Sequence, residues 1–306
     1  MLNIVKRGDI VARKSHNKDV AFIVDMIIKD KIAILTGLTT RLKADAYVED
    51  LEILSKEEVE KFLNKTNERL TIKTNIKPVE KNNIFNRSNK VIYTGKILHL
   101  DGDKRYSEKS NMYYKKMGLN AIVRNIPENR QVSIVNTLID RYNPDILVVT
   151  GHDGMIKTGK SYEDIYNYRN SRYFVQTVRN ARKNSKNKDL VIFAGACQSY
   201  YEALMAAGAN FASSPARILI DFIDPLVVAM KIATTDSSKY LTINDIEDEL
   251  RDGERGINRY RSKRKKEDIT RLKNCAIGDV HLWNKMFYAK GVCPQWHSFK
   301  KVLKNL

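Results

Sequence analysis

Cysteine is scarce in this chain. The three present in 306 residues, Cys197, Cys275 and Cys293, are too few and too odd in number for a disulfide framework. That fits a reducing compartment. No run approaches the roughly 18 apolar residues that a bilayer span needs, and Met1–Arg7 lacks the long apolar block of a secretion signal. The expectation is a protein made in the cytosol, with no membrane partner. No Gly-x-Gly-x-x-Gly follows any predicted strand, which speaks against a nucleotide-binding doubly wound domain. The tail holds Cys275, His281, Cys293 and His297, ligand types for zinc, but without a Cys-x-x-Cys knuckle. Neither a metal nor another cofactor is expected.

Positive charge is present in excess. A formal net charge of +18 predicts attraction to something acidic. The lysines and arginines are dispersed, however, so nucleic acid is not expected as the primary partner. One dense cluster lies in 251–273, with ten basic and four acidic side chains. It reads as a solvated helix or loop, a docking surface for acidic partners, or a site of self-cleavage. Apolar residues make up 42%, enough for a sizeable core.

Residues 1–54 read as five short strands with tight turns, a small antiparallel barrel of the Tudor or KOW kind. The predicted strands are 8–13, 20–24, 31–35, 40–42 and 51–54, with Lys29-Asp30 as a hairpin tip. Ser55-Lys56-Glu57-Glu58 is a capping box opening a charged helix to about Leu70, and 55–90 reads as linker helix and loop. From Val91 to about 250, apolar strands alternate with helices. Strands are expected at 95–100, 120–126, 145–150, 190–194 and 209–212. Helices are expected at 106–117, 127–142, 165–183 and 200–207, with another beginning at Asp224-Pro225. Strands apolar on both faces predict an α/β fold, a mostly parallel sheet flanked by helices. Residues 251–306 are expected to be a basic loop and helical extension.

Ligands of such sheets bind at the carboxyl ends of the strands. Four chemically capable side chains are expected there: Asp101, Asp103, His152 and Cys197. His152 follows one buried strand inside Gly151-His152-Asp153-Gly154, whose glycines permit a sharp turn. Cys197 follows another, 45 residues later, just before a helix whose N-terminus would favour thiolate. A cysteine and a histidine at adjacent strand ends make a nucleophile and its acid/base partner. The backbone amides of Cys197 and of Asp153 or Gly154 are the candidates for an oxyanion hole. The alternative is a noncatalytic protein that binds nucleic acid or an anionic matrix through the barrel and the basic loop.

Strand-His and strand-Ala-Cys together resemble the clan CD cysteine peptidases, which include caspases, legumain, clostripain, gingipains and separase. Those enzymes commonly carry His-Gly, whereas here Asp153 intervenes before Gly154. Ile10–Ser15, Leu98–Asp103, Thr150–Asp153, Phe193–Ser199 and Ala207–Pro215 closely resemble the YabG family of sporulation-specific proteases. The resemblance runs to about residue 260. It implies a caspase-like fold and a peptidase made in the mother cell, then found at the forespore surface and coat. Its implied substrates are spore coat and cortex-associated proteins. An acidic residue near Asp101 and Asp103 binds a basic P1 side chain in the Arg/Lys-specific branches of clan CD, where a carboxylate matches the guanidinium. Cleavage after Arg, then Lys, is the expectation. Those branches often place an aspartate two residues before the cysteine, where this chain has Gly195.

Overall fold

In a computed structural model of the chain, residues 4–74, 94–156, 161–184, 189–235 and 241–258 are described. Two sheets organise them. The first contains β1 (Ile10–Arg13), β2 (Ala21–Ile28), β3 (Ile32–Gly37), β4 (Lys43–Tyr47) and β5 (Leu51–Ile53), all antiparallel, in the order β4-β3-β2-β1-β5. The order is linear, with β4 and β5 at its edges, so the unit is an open antiparallel sheet among the described residues. Lys29 and Asp30 both have positive φ (49° and 54°), as a two-residue hairpin turn between right-twisted strands requires. The strand expected at 40–42 lies later, at 43–47. Leu38–Arg41 instead bends, and Leu42 forms an isolated bridge to Asp153 of the other sheet's loops. Helix α1 (Lys56–Thr74) starts with the expected capping box, Ser55 N–H on Glu58 Oε2 at 2.8 Å and Glu58 N–H on Ser55 Oγ at 3.2 Å.

The second sheet holds β6 (Ile97–Asp101), β7 (Ala121–Asn125), β8 (Ile146–Thr150), β9 (Val191–Ala194), β10 (Phe211–Ser213) and β11 (Ile257–Asn258). Its order is β11-β10-β9-β8-β6-β7, parallel throughout except for the edge pair β10–β11. Helices α2 (Lys104–Lys116), α3 (Glu128–Tyr142), α4 (Ser171–Lys183), α5 (Tyr201–Ala206) and α6 (Asp224–Thr234) connect and cover it. A four-residue turn, α7 (Gly253–Gly256), precedes β11. The helix expected from 165 begins at Ser171, after a separate 3-10 turn at Ile165–Asn167.

Period-two alternation sorts each strand's side chains onto two cores. Leu98, Leu100, Leu147, Val149 and Ile192 face Val135 of α3, Phe174 of α4 and Leu204 of α5. Ile97, Ile146, Val148 and Phe193 face Tyr113 of α2 and Leu226 of α6. Both faces are dry, which is why these strands read as unbroken apolar runs. From β6 the chain steps to β7 on one side and then returns to β8 on the other. The reversal opens a crevice beyond the carboxyl ends of β6 and β8, the place where open α/β sheets take their ligands. The first sheet lies against this edge. Its core residues Val11, Phe22, Leu35 and Ala44 form one cluster with Ile220 and Cys197.

Candidate functional site

The turn after β8 is held by polar groups. His152 donates its amide to Glu128 Oε1 at 2.7 Å, and its carbonyl accepts from Asn170 Nδ2 at 2.7 Å. Glu128, in the first turn of α3, lies so close under the turn that a Cβ on Gly151 would be 2.4 Å from its Oε1, and one on Gly102 2.3 Å. Those two glycines are there because a side chain would displace the carboxylate. The imidazole is 3% exposed. Its Nε2 has no hydrogen-bond partner and lies 3.8 Å from Asp103 Oδ2, while Tyr106 tilts against the ring with centroids 5.8 Å apart. Burial pushes the histidine down to about 4, only partly offset by Asp103 and Asp101, so the ring is neutral near pH 7.

Asp153 joins the two loops that carry the chemistry. One carboxylate oxygen accepts from the amides of Gly154 (2.9 Å) and Asn170 (2.8 Å). The other accepts from the hydroxyls of Ser171 and Ser199, the latter at 2.9 Å. Ser199 Oγ in turn accepts the amide of Ala196 at 2.9 Å, and Ser171 Oγ that of Tyr200 at 2.8 Å. One buried acid thus ties the histidine turn, the start of α4 and the cysteine turn together. Burial pushes its own carboxyl up, against the pull of those four donors.

The turn after β9 is built from different material. Gly195 (φ 115°) and Gln198 (φ 54°) both adopt left-handed backbone, which bends the chain abruptly around Cys197. The sulfur is fully buried; it accepts the Ile220 amide at 3.2 Å and sits in the apolar cluster shared with the first sheet. Burial pushes the thiol up to about 11, with the amides of Ile220 and Arg41 offsetting only part of the shift. The expected thiolate-favouring helix N-terminus is not what the sulfur meets. Helix α5 begins only at Tyr201 and runs six residues, so desolvation wins. Among the described residues no hydrogen bond joins Cys197 to His152 or takes up the Cys197 amide. An open cleft lined by Leu42, Lys43, Met155, Ile156 and Gln198 borders the site, and neither Cys197 nor His152 lines it.

The two predicted acids have different fates. Asp103 caps α2, accepting the Arg105 amide at 2.7 Å, and pairs with the Arg105 guanidinium at 3.2 Å. Asp101 is fully buried at the end of β6. Its Oδ2 accepts from Thr150 Oγ1 at 2.9 Å and from Arg41 Nη2 at 2.5 Å, and its Oδ1 accepts the Asp103 amide at 2.9 Å. His99, two residues back along β6 on the same face, bonds Thr150 Oγ1 at 2.7 Å and Tyr114 at 3.1 Å; burial keeps it neutral.

Of the backbone donors, Gly154 gives its amide to Asp153 Oδ1 and is therefore spent. The Asp153 amide donates to the Arg41 carbonyl at 3.1 Å. Sequence reasoning missed Glu128, Ser171, Ser199 and above all Arg41. Two of these had a local signal: glycines at 102 and 151 mark a close approach, and Ser199 follows the cysteine by two residues. Arg41 had none, because its partner lies 60 residues away. Among the described residues no group of three His, Cys, Asp or Glu could hold a metal ion, and no helix is long and apolar enough to cross a membrane. The tail Cys275, His281, Cys293 and His297 and most of the basic cluster lie outside the described residues.

Comparison with known proteins identifies the family. A family described as YabG peptidase U57 matches residues 6–267. The sporulation-specific protease YabG of Bacillus subtilis (strain 168) is 36% identical over 258 residues, covering 78% of this chain and 88% of that protein. No solved structure matches.

Proposed function

The chain belongs to the YabG peptidase family, and on that footing we propose that it is a cysteine endopeptidase whose working pair is Cys197 and His152. It is a peptidase with a role in sporulation. The finer reading adds a caspase-like fold for 91–250, with 1–54 as a small Tudor/KOW-like unit, 55–90 as linker and 251–306 as a basic extension. The substrates we infer are spore coat and cortex-associated proteins, met in the mother cell and at the forespore surface.

One observation carries the reading. The two turns stand at adjacent parallel strand ends and are clamped to each other by a single buried carboxylate, with a histidine nitrogen left unpartnered beside them. A buried imidazole with no partner for Nε2 is costly unless something else uses it. In the proposed step His152 takes the Sγ proton, and the thiolate attacks the scissile carbonyl. The amide of Cys197 and, once released from the Arg41 carbonyl, that of Asp153 then donate to the oxyanion. His152 returns the proton to the leaving amine, and water resolves the thioester. Asp101 supports a preference for Arg, then Lys, at P1, since it already holds one buried guanidinium. Asp103 would lie at the pocket's rim.

The test is digestion of a coat-protein extract by wild type, Cys197→Ala and His152→Ala, with the new N-termini sequenced. Wild type should cut after Arg and Lys, and each variant should lose about four orders of magnitude or more in rate. Turnover surviving Cys197→Ala, or cleavage after Asp or Asn, would overturn the reading.

A further inference from the structure

Arg41 is a buried cation that the fold of its own sheet does not need. It sits in the bend between β3 and β4, 2% exposed, and its side chain leaves that sheet altogether. The guanidinium reaches Asp101 at 2.5 Å and the Phe222 carbonyl at 3.5 Å, and stacks over Tyr106, 4.9 Å from the ring centroid. The main chain follows it in. The Arg41 carbonyl accepts the Asp153 amide at 3.1 Å, and the Lys43 amide donates to the Asp153 carbonyl at 2.7 Å. Gly154 makes room, since a Cβ there would lie 2.0 Å from the Lys43 carbonyl.

Each of these contacts is one that a peptide bound for cleavage after arginine would make. The side chain is on the acid proposed for P1, the carbonyl on an amide proposed for the oxyanion, and the backbone is bridged to the residue after His152. A plain docking contact has no reason to satisfy all three. A buried ion pair is also a poor way to glue two sheets, because desolvation consumes most of its attraction. The fit is incomplete too, for Arg41 Nε has no partner.

We propose that the bend carrying Arg41 is a resident pseudosubstrate, which fills the arginine pocket of the peptidase site and excludes protein substrates until it lifts away. The proposal rests on the peptidase reading above and names the regulation of that site. It accounts for much of the sealing of the cysteine: beside Ile220, the apolar cluster that holds the sulfur is made of residues of the same sheet that delivers Arg41. Lifting the bend would return water to the pocket and open the cleft along Leu42 and Gln198.

The test uses the full chain and a fluorogenic peptide with arginine at P1. Wild type, Arg41→Lys, Arg41→Ala and Cys197→Ala are compared, with folding followed by circular dichroism. A substrate competing with an occupied site sees its affinity reduced by the open fraction. Arg41→Ala should therefore raise kcat/KM about tenfold or more, mainly through KM, with Arg41→Lys near wild type. Because Arg41→Ala strands Asp101 in the interior, Lys43→Pro provides a second arm. It removes the N–H given to Asp153 and keeps Asp101 paired; it too should activate. Wild-type turnover that depends on Cys197 but rises in neither variant would overturn the pseudosubstrate and leave the peptidase reading standing. Turnover in no variant, or turnover indifferent to Cys197→Ala, would sink both.

Discussion

His152 and Cys197 terminate neighbouring strands of one sheet, yet their surroundings are opposites. The histidine turn is a mesh of hydrogen bonds to the Glu128 and Asp153 carboxylates and to the Asn170 side chain. The cysteine turn is bent by left-handed backbone and roofed by aliphatic side chains of the other sheet. Burial acts on both, but in opposite directions on their pKa values, holding the imidazole and the thiol alike in their neutral forms. On the proposed reading the acid/base half is already held by hydrogen bonds, whereas the nucleophile half is suppressed by what covers it. The proposed regulation of such a site is by uncovering rather than by assembly.

The largest effect should follow from cutting the buried link between the halves, the Asp153 carboxylate. Asp153→Ala leaves the Gly154 and Asn170 amides and the Ser171 and Ser199 hydroxyls without their acceptor. Buried donors stripped of a partner cost about 1–3 kcal/mol each, less what water recovers. Urea unfolding should register a loss of about 3–5 kcal/mol. A cost below about 1 kcal/mol would mean that the two turns hold themselves independently.

Next comes the suppressed thiol. With its ionisation pushed up to about 11, Cys197 should react with iodoacetamide a few hundredfold more slowly at neutral pH than an ordinary thiol with a pKa of about 8.5. Peptide mapping separates it from Cys275 and Cys293. Fast labelling in the folded wild type would show that the sulfur is not sealed.

The histidine's burial has a signature in stability against pH. Between its ordinary value of 6.5 and its folded value of about 4, the unfolded chain binds a proton that the folded chain refuses. Stability attributable to His152 is therefore full above pH 6.5 and is lost as pH falls toward 4, by about 3 kcal/mol at most. Other groups titrate in the same window, so the quantity to measure is the difference between wild type and His152→Ala. The wild type should fall more steeply. Parallel profiles would place the ring in contact with water.

How legible was this in the sequence? The parallel sheet was, because strands buried on both faces leave unbroken apolar runs, and Gly118 and Pro225 punctuate the helices as backbone sterics demand. The strand ends carrying Asp101, His152 and Cys197 followed directly. What could not be read is the meeting of distant segments. Thr40-Arg41-Leu42 reads locally as a short strand; its bend is set by a loop 111 residues away, through the bridge from Leu42 to Asp153. The cysteine was expected to be activated because its neighbours in sequence suggest a helix start. Its neighbours in space, Ile220 and the core of the first sheet, decide otherwise. Asp153 was considered for its amide, while its carboxylate proves the more connected group.

The smallest effect probes how the cysteine turn holds its shape. Gln198 is left-handed, a conformation that costs a residue with a Cβ about 1 kcal/mol or more and costs glycine nothing. Its side chain offsets that cost by accepting the Met155 amide at 3.3 Å, a second stitch between the two turns. Gln198→Ala keeps the strain and loses the stitch, and should cost about 1 kcal/mol. Gln198→Gly loses the stitch but also the strain, and should come out near neutral. The sign of the difference carries the information. An alanine variant as stable as the glycine variant would mean that the turn relaxes out of its left-handed backbone when the side chain goes. The bend at Cys197 would then be imposed by the Met155 contact, and the cysteine turn would be held by side-chain bonds after all, like the histidine turn beside it.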